Sequence, residues 1–271
     1  AQHWPEFAAH GKEGVTVGEL LSHQAGLIAL DTKLSFDEVM AVEPVIAALA
    51  AQQPLWELGD GHGYHALTYG WLAGELVRRV DGRTIGRYFA DEVAGPLGLD
   101  FWIGLPESEE PRVSKLALQP PPETPEEIAA AAALLGPGTN GYRALTLDGT
   151  IRMAPENHFN GRALHATEMP GANGITNAGS LARMYAATIG EVDGVRVLPA
   201  EMVDAVRAER VFGPDRTLIR PTRFGAGFWL HEEGTPMIQD GSFGHPGAGG
   251  SLGYANPELG IGYAYVMNQM L

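Results

Sequence analysis

From Arg223 to the end of the chain, hydropathy alternates with period two and glycine recurs every few residues. Such alternation puts successive side chains on opposite faces of a sheet, and the glycines supply turns between short antiparallel strands. Four strands are predicted: Phe224 to Leu230, Met237 to His245, Gly250 to Asn256 and Gly260 to Asn268. The last two are joined by the turn Asn256-Pro257-Glu258-Leu259-Gly260. No helical pattern separates them, which argues against alternating βαβ units.

Upstream the period is helical. Thr16 followed by Glu19 is a capping box, with Val17, Leu20 and Leu21 as the apolar face and Gly26 as the stop. Phe36 to Gln52 reads as a helix interrupted near Pro44. Tyr69 to Val80 is a stronger one, with Leu72, Leu76 and Val80 on one stripe and Asp81-Gly82 closing it. Thr84 to Val93 is a further helix, ended by Gly95-Pro96-Leu97-Gly98-Leu99. Gly179 to Ile189 and Pro199 to Arg210 complete the set. Pro120 to Pro125 is a proline-rich connection, and Gly136 to Gly161 an irregular excursion of the kind that forms binding loops. The expected fold is therefore α+β: one domain over residues 1–271, helix-rich through about 15–210 and an antiparallel sheet over about 223–271, with no internal repeat.

Charge excludes some functions. The formal net charge is −15, which repels nucleic acid and anionic membrane. No apolar run approaches the roughly 18–20 residues a membrane span needs; Ile128 to Leu135 is the longest candidate. There is no cysteine, so no disulfide or thiolate ligand is available. No leader peptide is visible after Ala1, which leaves the compartment open with the cytoplasm favoured. Both ends read as interior to a domain, so the chain is expected to be truncated at both.

Two patterns invite chemistry without carrying it. Gly249-Gly250-Ser251-Leu252-Gly253 fits the G-x-S-x-G nucleophile elbow, but that elbow needs a strand–turn–helix setting, and its flanks read as a hairpin. His158, His165 and Glu168 suggest a metal site, yet their spacing matches no helical ligand pair, and loop histidines are the plainer reading. No metal or cofactor is expected. Phe101-Trp102 and Phe228-Trp229 line either an acyl pocket or the core.

Five segments, taken in order, carry a resemblance. They are Val17-Gly18-Glu19-Leu20-Leu21-Ser22-His23-Gln24-Ala25-Gly26-Leu27, the run Gly63 to Val80 beginning Gly63-Tyr64-His65-Ala66-Leu67-Thr68-Tyr69-Gly70, Pro96-Leu97-Gly98-Leu99, Gly171 to Arg183, and His245-Pro246-Gly247. In this order they resemble the serine β-lactamase, penicillin-binding-protein and esterase superfamily, nearest its class C-like (family VIII type) esterases and β-lactamase-related hydrolases. The resemblance implies a β-lactamase/transpeptidase-like fold and cleavage of esters or amides through an acyl-serine.

It also assigns roles. Tyr64 falls on the family's catalytic tyrosine, and His245-Pro246-Gly247 stands where β-lactamases carry Lys-Thr-Gly. The implied roles are Tyr64 as general base, His245 as a hydrogen-bonding assistant, and the Ala248 N–H as half of an oxyanion hole. Gly247 lets substrate approach the strand edge, and Ala66 and Trp229 are read as substrate contacts. A phenol has a pKa near 10 and serves as a base at neutral pH only beside positive charge, to which His62 and His65 contribute only if protonated. Ala66 replaces an asparagine and His245 a lysine, so a neutral small-molecule ester is the expected substrate rather than a β-lactam. The family's first motif is missing: no serine has a lysine three residues on, and only sixteen residues precede Val17. The nucleophile is expected from an absent N-terminal segment or a second chain. Two alternatives stand beside this reading, a non-catalytic scaffold that keeps the fold and an α/β-hydrolase using Ser251.

Overall fold

The computed structural model describes residues 2–154 and 156–270. Ala1, Leu271 and Pro155, the last inside the predicted Gly136–Gly161 excursion, lie outside them. The helices are α1 (Val17–Leu21), α2 (Phe36–Met40), α3 (Glu43–Ala51), α4 (Thr68–Asp81), α5 (Ile85–Phe89), α6 (Gly95–Leu97), α7 (Pro125–Leu135), α8 (Asn140–Thr146), α9 (Arg162–Ala166), α10 (Ala178–Ile189) and α11 (Ala200–Arg207). Two short strands, β1 (Phe101–Trp102) and β2 (Ile175–Thr176), pair with each other. The main sheet is an antiparallel meander: β3 (Val211–Pro214), β4 (Pro221–Phe224), β5 (Trp229–Leu230), β6 (Phe243–Pro246), β7 (Leu252–Asn256) and β8 (Ile261–Tyr265), adjacent in that order. No helix among the described residues is long and apolar enough to cross a membrane.

Local chemistry explains the helix ends. In α1 the Thr16 hydroxyl accepts from Glu19 N–H while the Glu19 carboxylate accepts from Thr16 N–H, and Ser35 with Glu38 caps α2 in the same way. The Phe36–Gln52 helix is broken as expected. Pro44 sits in the first turn of α3, where its missing N–H is harmless, and the turn before it passes through Val42 at φ +69°. Helix α4 stops at Gly82, which adopts φ +95°.

Four expectations are corrected. The helix opened by Thr84 does not end at Val93; it widens into a π turn over Ala90–Ala94 and runs on through α6 to Gly98 at φ +62°. The Pro120–Gly161 region holds α7, capped by Thr124 and Glu127, and α8, capped by Thr139. Phe224 to Leu230 is not one strand, because Gly225–Gly227 turns the chain back and Phe224 pairs with Trp229. The sheet begins at Val211, ahead of the expected start, with β3 and β4.

Two cores result. Leu20, Leu27, Val39, Leu49, Trp71, Leu72 and Leu164 fill the helical part. Tyr185, Val203, Leu230, Phe243 and Ala255 lie between the sheet and α10–α11. Helix α10 presses onto β7 and β8 so closely that a methyl group on Gly262 would lie 2.4 Å from Ala186 N and 2.6 Å from Ala182 O. Backbone cannot yield as a side chain can, so Gly262→Ala is expected to cost about 1–3 kcal/mol by overpacking. Gly14→Ala, with open space around it, should change stability little. Urea denaturation of both variants checks this.

Candidate active site

The segment Ser22–Leu27 that follows α1 and the tyrosine segment before α4 are zipped together. Gly63 N–H donates to His23 O (3.1 Å), His65 N–H to His23 Nδ1 (3.1 Å), and Leu27 N–H to His65 Nε2 (2.9 Å). The Thr68 hydroxyl donates to Leu27 O (2.6 Å). His65 Nδ1 lies 2.7 Å from Gly63 O. Since Nε2 accepts, Nδ1 carries the proton, and the imidazole is neutral. His23 takes φ +63° to make these bonds.

This lattice delivers Tyr64 to the sheet. Its ring stacks on Trp229 (centroids 5.1 Å apart, 25° between planes), and Trp229 stacks on Phe224 (4.9 Å, 26°). His23 meets Tyr64 edge-on at 5.1 Å. Tyr64 Oη then stands 3.1 Å from His245 Nε2, joining positions 181 residues apart in sequence. Both side chains are partly buried. Strand β5 pairs with β6 only at Phe243 and Gly244, so the His245–Gly247 backbone is free on that side. Ala248, in the turn after β6, is exposed, and its N–H has no acceptor among the described residues.

The imidazoles of the site are neutral and its phenol is hard to ionise. Burial pushes the Tyr64 phenol well above its ordinary range, helped by neighbouring Tyr69 and by the negative charge of Asp215. Burial lowers His245 to about 4, and likewise His65 to about 4. His23 and His62 are also lowered, again chiefly by burial. None is a cation at neutral pH, so His62 and His65 do not activate the phenol electrostatically. The chain's three lysines, Lys12, Lys33 and Lys115, contribute no hydrogen bond to Tyr64 or His245.

The remaining expected residues fall as follows. Gly247 flanks His245, and its N–H donates to Ser251 O (2.6 Å). Ala66 is buried with Ile28, Ala29, Trp56 and Ala144, behind the tyrosine. Trp229 is buried too and supports Tyr64 and His245 from behind, its ring 5.2 Å from the imidazole. Ser251 lies between two strands, so the elbow geometry is absent. Phe228 packs on Phe243, and Phe101 on Phe89, both as core. His165 is held between Glu110 (2.8 Å) and Phe159 O (2.8 Å), and Glu168 accepts from Thr84 and Gly86 N–H. Neither converges with His158, and no group of three or more potential metal ligands occurs among the described residues. Asp215, on the β3–β4 connection, has no sequence signal beyond a turn-prone Gly-Pro-Asp, yet it touches the tyrosine backbone.

This frame can be set beside known proteins. The Beta-lactamase family model matches residues 1–271, and the chain belongs to that family. It is 36% identical over 287 aligned positions to esterase/beta-lactamase LipL of Mycobacterium tuberculosis, covering all of this chain and 62% of that protein. EstA from Arthrobacter nitroguajacolicus Rue61a superposes with a TM-score of 0.87 at 35% identity, over the whole chain and 71% of EstA. A family VIII carboxylesterase gives 0.82 at 36% identity, over the whole chain and 70% of that structure. The β-lactamase-like α+β fold expected from the sequence is the fold observed.

The buried histidines set a pH dependence. A histidine held near 4 in the fold but near 6.5 when unfolded takes up its proton preferentially in the unfolded chain. Its stabilising contribution is complete above about 6.5 and is lost as pH falls toward 4. For His65 the loss is on the order of 3 kcal/mol. Urea midpoints should therefore drop between pH 6.5 and 4.5, above the range where most carboxylates titrate.

Proposed function

We propose that this chain carries most of a serine hydrolase of carboxylesterase type that works through an acyl-serine. The observation that carries the reading is the Tyr64 Oη to His245 Nε2 contact at 3.1 Å beside a free strand edge. Tyr64 receives the nucleophile's proton, His245 holds the phenol by a hydrogen bond, and Ala248 N–H faces the developing oxyanion. Gly247 leaves no room for a side chain beside Ser251 in the turn that presents Ala248, while Ala66 and Trp229 form the wall behind the tyrosine. The names of the relatives, esterase/beta-lactamase and family VIII carboxylesterase, support an ester substrate.

The serine and lysine are supplied by a segment outside the 271 residues. A cleft of about 1010 Å³ runs along α3 and α4, walled by Trp4, Val42, Ile46, Trp71 and Ile85. It has room for roughly two turns of helix. Trp71 Nε1 is buried there without an acceptor among the described residues. The cleft's lining does not include Tyr64, His245 or Ala248; a lysine carried to Tyr64 by the supplying segment would lower the phenol from the high value it has here. A non-catalytic scaffold would also leave the phenol neutral, and activity separates the two.

The chain alone should neither hydrolyse p-nitrophenyl acetate nor react with a fluorophosphonate. Joined to the N-terminal part of a relative bearing Ser-x-x-Lys, it should gain esterase activity. Tyr64→Phe in that completed enzyme should lower turnover about 10²–10⁴-fold. Labelling of Ser251 in the unextended chain would favour the elbow reading instead.

Substrate choice follows from charge. His245 is neutral where a lysine would attract a carboxylate, and the net charge of −15 repels anions at long range. In the completed enzyme kcat/KM should favour a short neutral ester over a chromogenic cephalosporin. His245→Lys should narrow that margin, because a charge-assisted hydrogen bond is roughly twice as strong as a neutral one. A cephalosporin preferred by the parent would identify a β-lactamase.

A further inference from the structure

Asp215 is a carboxylate 3% exposed to solvent, on the loop between β3 and β4, in neither motif that forms the site. Its neighbours are all donors. Tyr64 N–H lies 3.1 Å from Oδ1 and 3.0 Å from Oδ2. Thr217 N–H (2.8 Å) and Leu218 N–H (2.9 Å) both donate to Oδ1. The Thr222 hydroxyl donates to Oδ2 (2.9 Å), and His62 Nε2 is 2.7 Å from that hydroxyl and 3.8 Å from Oδ2. A group surrounded only by donors serves as an acceptor on both oxygens, which suits a carboxylate and not its protonated acid. Further bonds tie the same loop to the tyrosine segment: Arg216 N–H donates to His62 O (3.1 Å), and Arg216 Nη2 to Asp60 O (2.6 Å).

We propose that Asp215 is a positioning residue for the Tyr64 base, gripping its backbone N–H so that the phenol meets His245 at the strand edge. The inference rests on the reading of Tyr64 as the base. Three features make the grip more than packing. Tyr64 follows the Gly59–Gly63 loop, in which Gly59 and Gly61 take positive φ, and the bonds that hold this loop to the sheet come from the same Asp215–Thr222 segment. Tyr64 N–H is not used by any helix, because α4 begins only at Thr68. The grip crosses from the helical part to the sheet, setting the phenol in the frame that also carries His245 through β4, β5 and β6. A displacement of about 1 Å in a catalytic group can cost 10²-fold in rate.

The charge has a second consequence. Tyr64 is faced by Tyr69, His23, His65 and His245, and by Asp215 with His62 and Arg216 behind it. Asp215 is the anion of this set, and it opposes formation of a tyrosinate. Removing its charge should shift the pH limb that reports the base downward, even as misplacement lowers the rate. A residue that merely supports the fold would lower stability and leave that limb in place.

The test uses the completed enzyme and a neutral ester. Asp215→Asn should reduce kcat about 10–100-fold, with KM changed less than about threefold, and should move the limb of kcat/KM to lower pH. The Tyr64 amide proton, followed by NMR, should move upfield and exchange faster. If Asp215→Asn does not fold, Thr222→Val, which removes only the hydroxyl holding Oδ2, should reduce kcat about 3–10-fold with the same amide signature. Unchanged kcat and an unchanged Tyr64 amide in a folded Asp215→Asn or Thr222→Val protein would overturn the proposal. If Tyr64→Phe keeps full activity while the Asp215→Asn amide moves as expected, the base reading fails and the backbone grip stands as a structural fact alone.

Discussion

The stack of Tyr64, Trp229 and Phe224 is where the helical part meets the sheet, and the site exists only because this contact is made. Tyr64 belongs to the turn before α4, while Phe224 and Trp229 close the β4–β5 hairpin. Aromatic faces in offset contact bury much area and add about 0.5–1.5 kcal/mol of directional preference per pair. That preference fixes the tilt of the phenol, and hydrogen bonds fix its depth. Leu27 N–H and Gly63 O occupy both nitrogens of His65, so the residue after the tyrosine cannot rotate without losing two buried bonds.

Burial gives the site its shape and withholds its charge. Each imidazole that touches Tyr64 or its segment is kept neutral by desolvation. The nearby anion, Asp215, works against an ionised phenol. Such an arrangement holds a phenol in place but does not ionise it. Any base function then depends on a cation brought from outside these residues.

Much of this was legible in the sequence, and the failures have physical causes. Thr16 with Glu19, Gly82 after α4, and the alternation through β7 and β8 are local signals, and each element formed near its predicted place. Helix α7 carries no apolar stripe to signal it, because its run is mostly alanine. Alanine's helix propensity, with the Thr124–Glu127 box, suffices for a helix that remains largely exposed. Strands β3 and β4 give little sequence signal, because each is four residues long and bears a proline at one end. The Tyr64–His245 pair is legible only through motif resemblance, since no periodicity links residues so far apart. Asp215 gives no signal of its role, because its partner lies 151 residues away and its own neighbourhood reads as an ordinary turn.

The position of His245 depends in turn on contacts far from it. Strand β6 is held by β7, and β7 and β8 are held by α10, against which Gly253 and Gly262 leave no room for a methyl group. At Gly253 that methyl would lie 2.4 Å from the Tyr185 ring. A larger residue there would push the sheet away from α10 and carry β6 with it. His245 would then move relative to a tyrosine whose following residue, His65, is held on the helical side by Leu27 and Gly63. Because a hydrogen bond weakens steeply over a few tenths of an ångström beyond about 3.2 Å, the 3.1 Å contact has little tolerance for such a shift. The glycines of β7 and β8 therefore act on the site through the sheet, and their small size serves the geometry of His245 as well as the packing of α10.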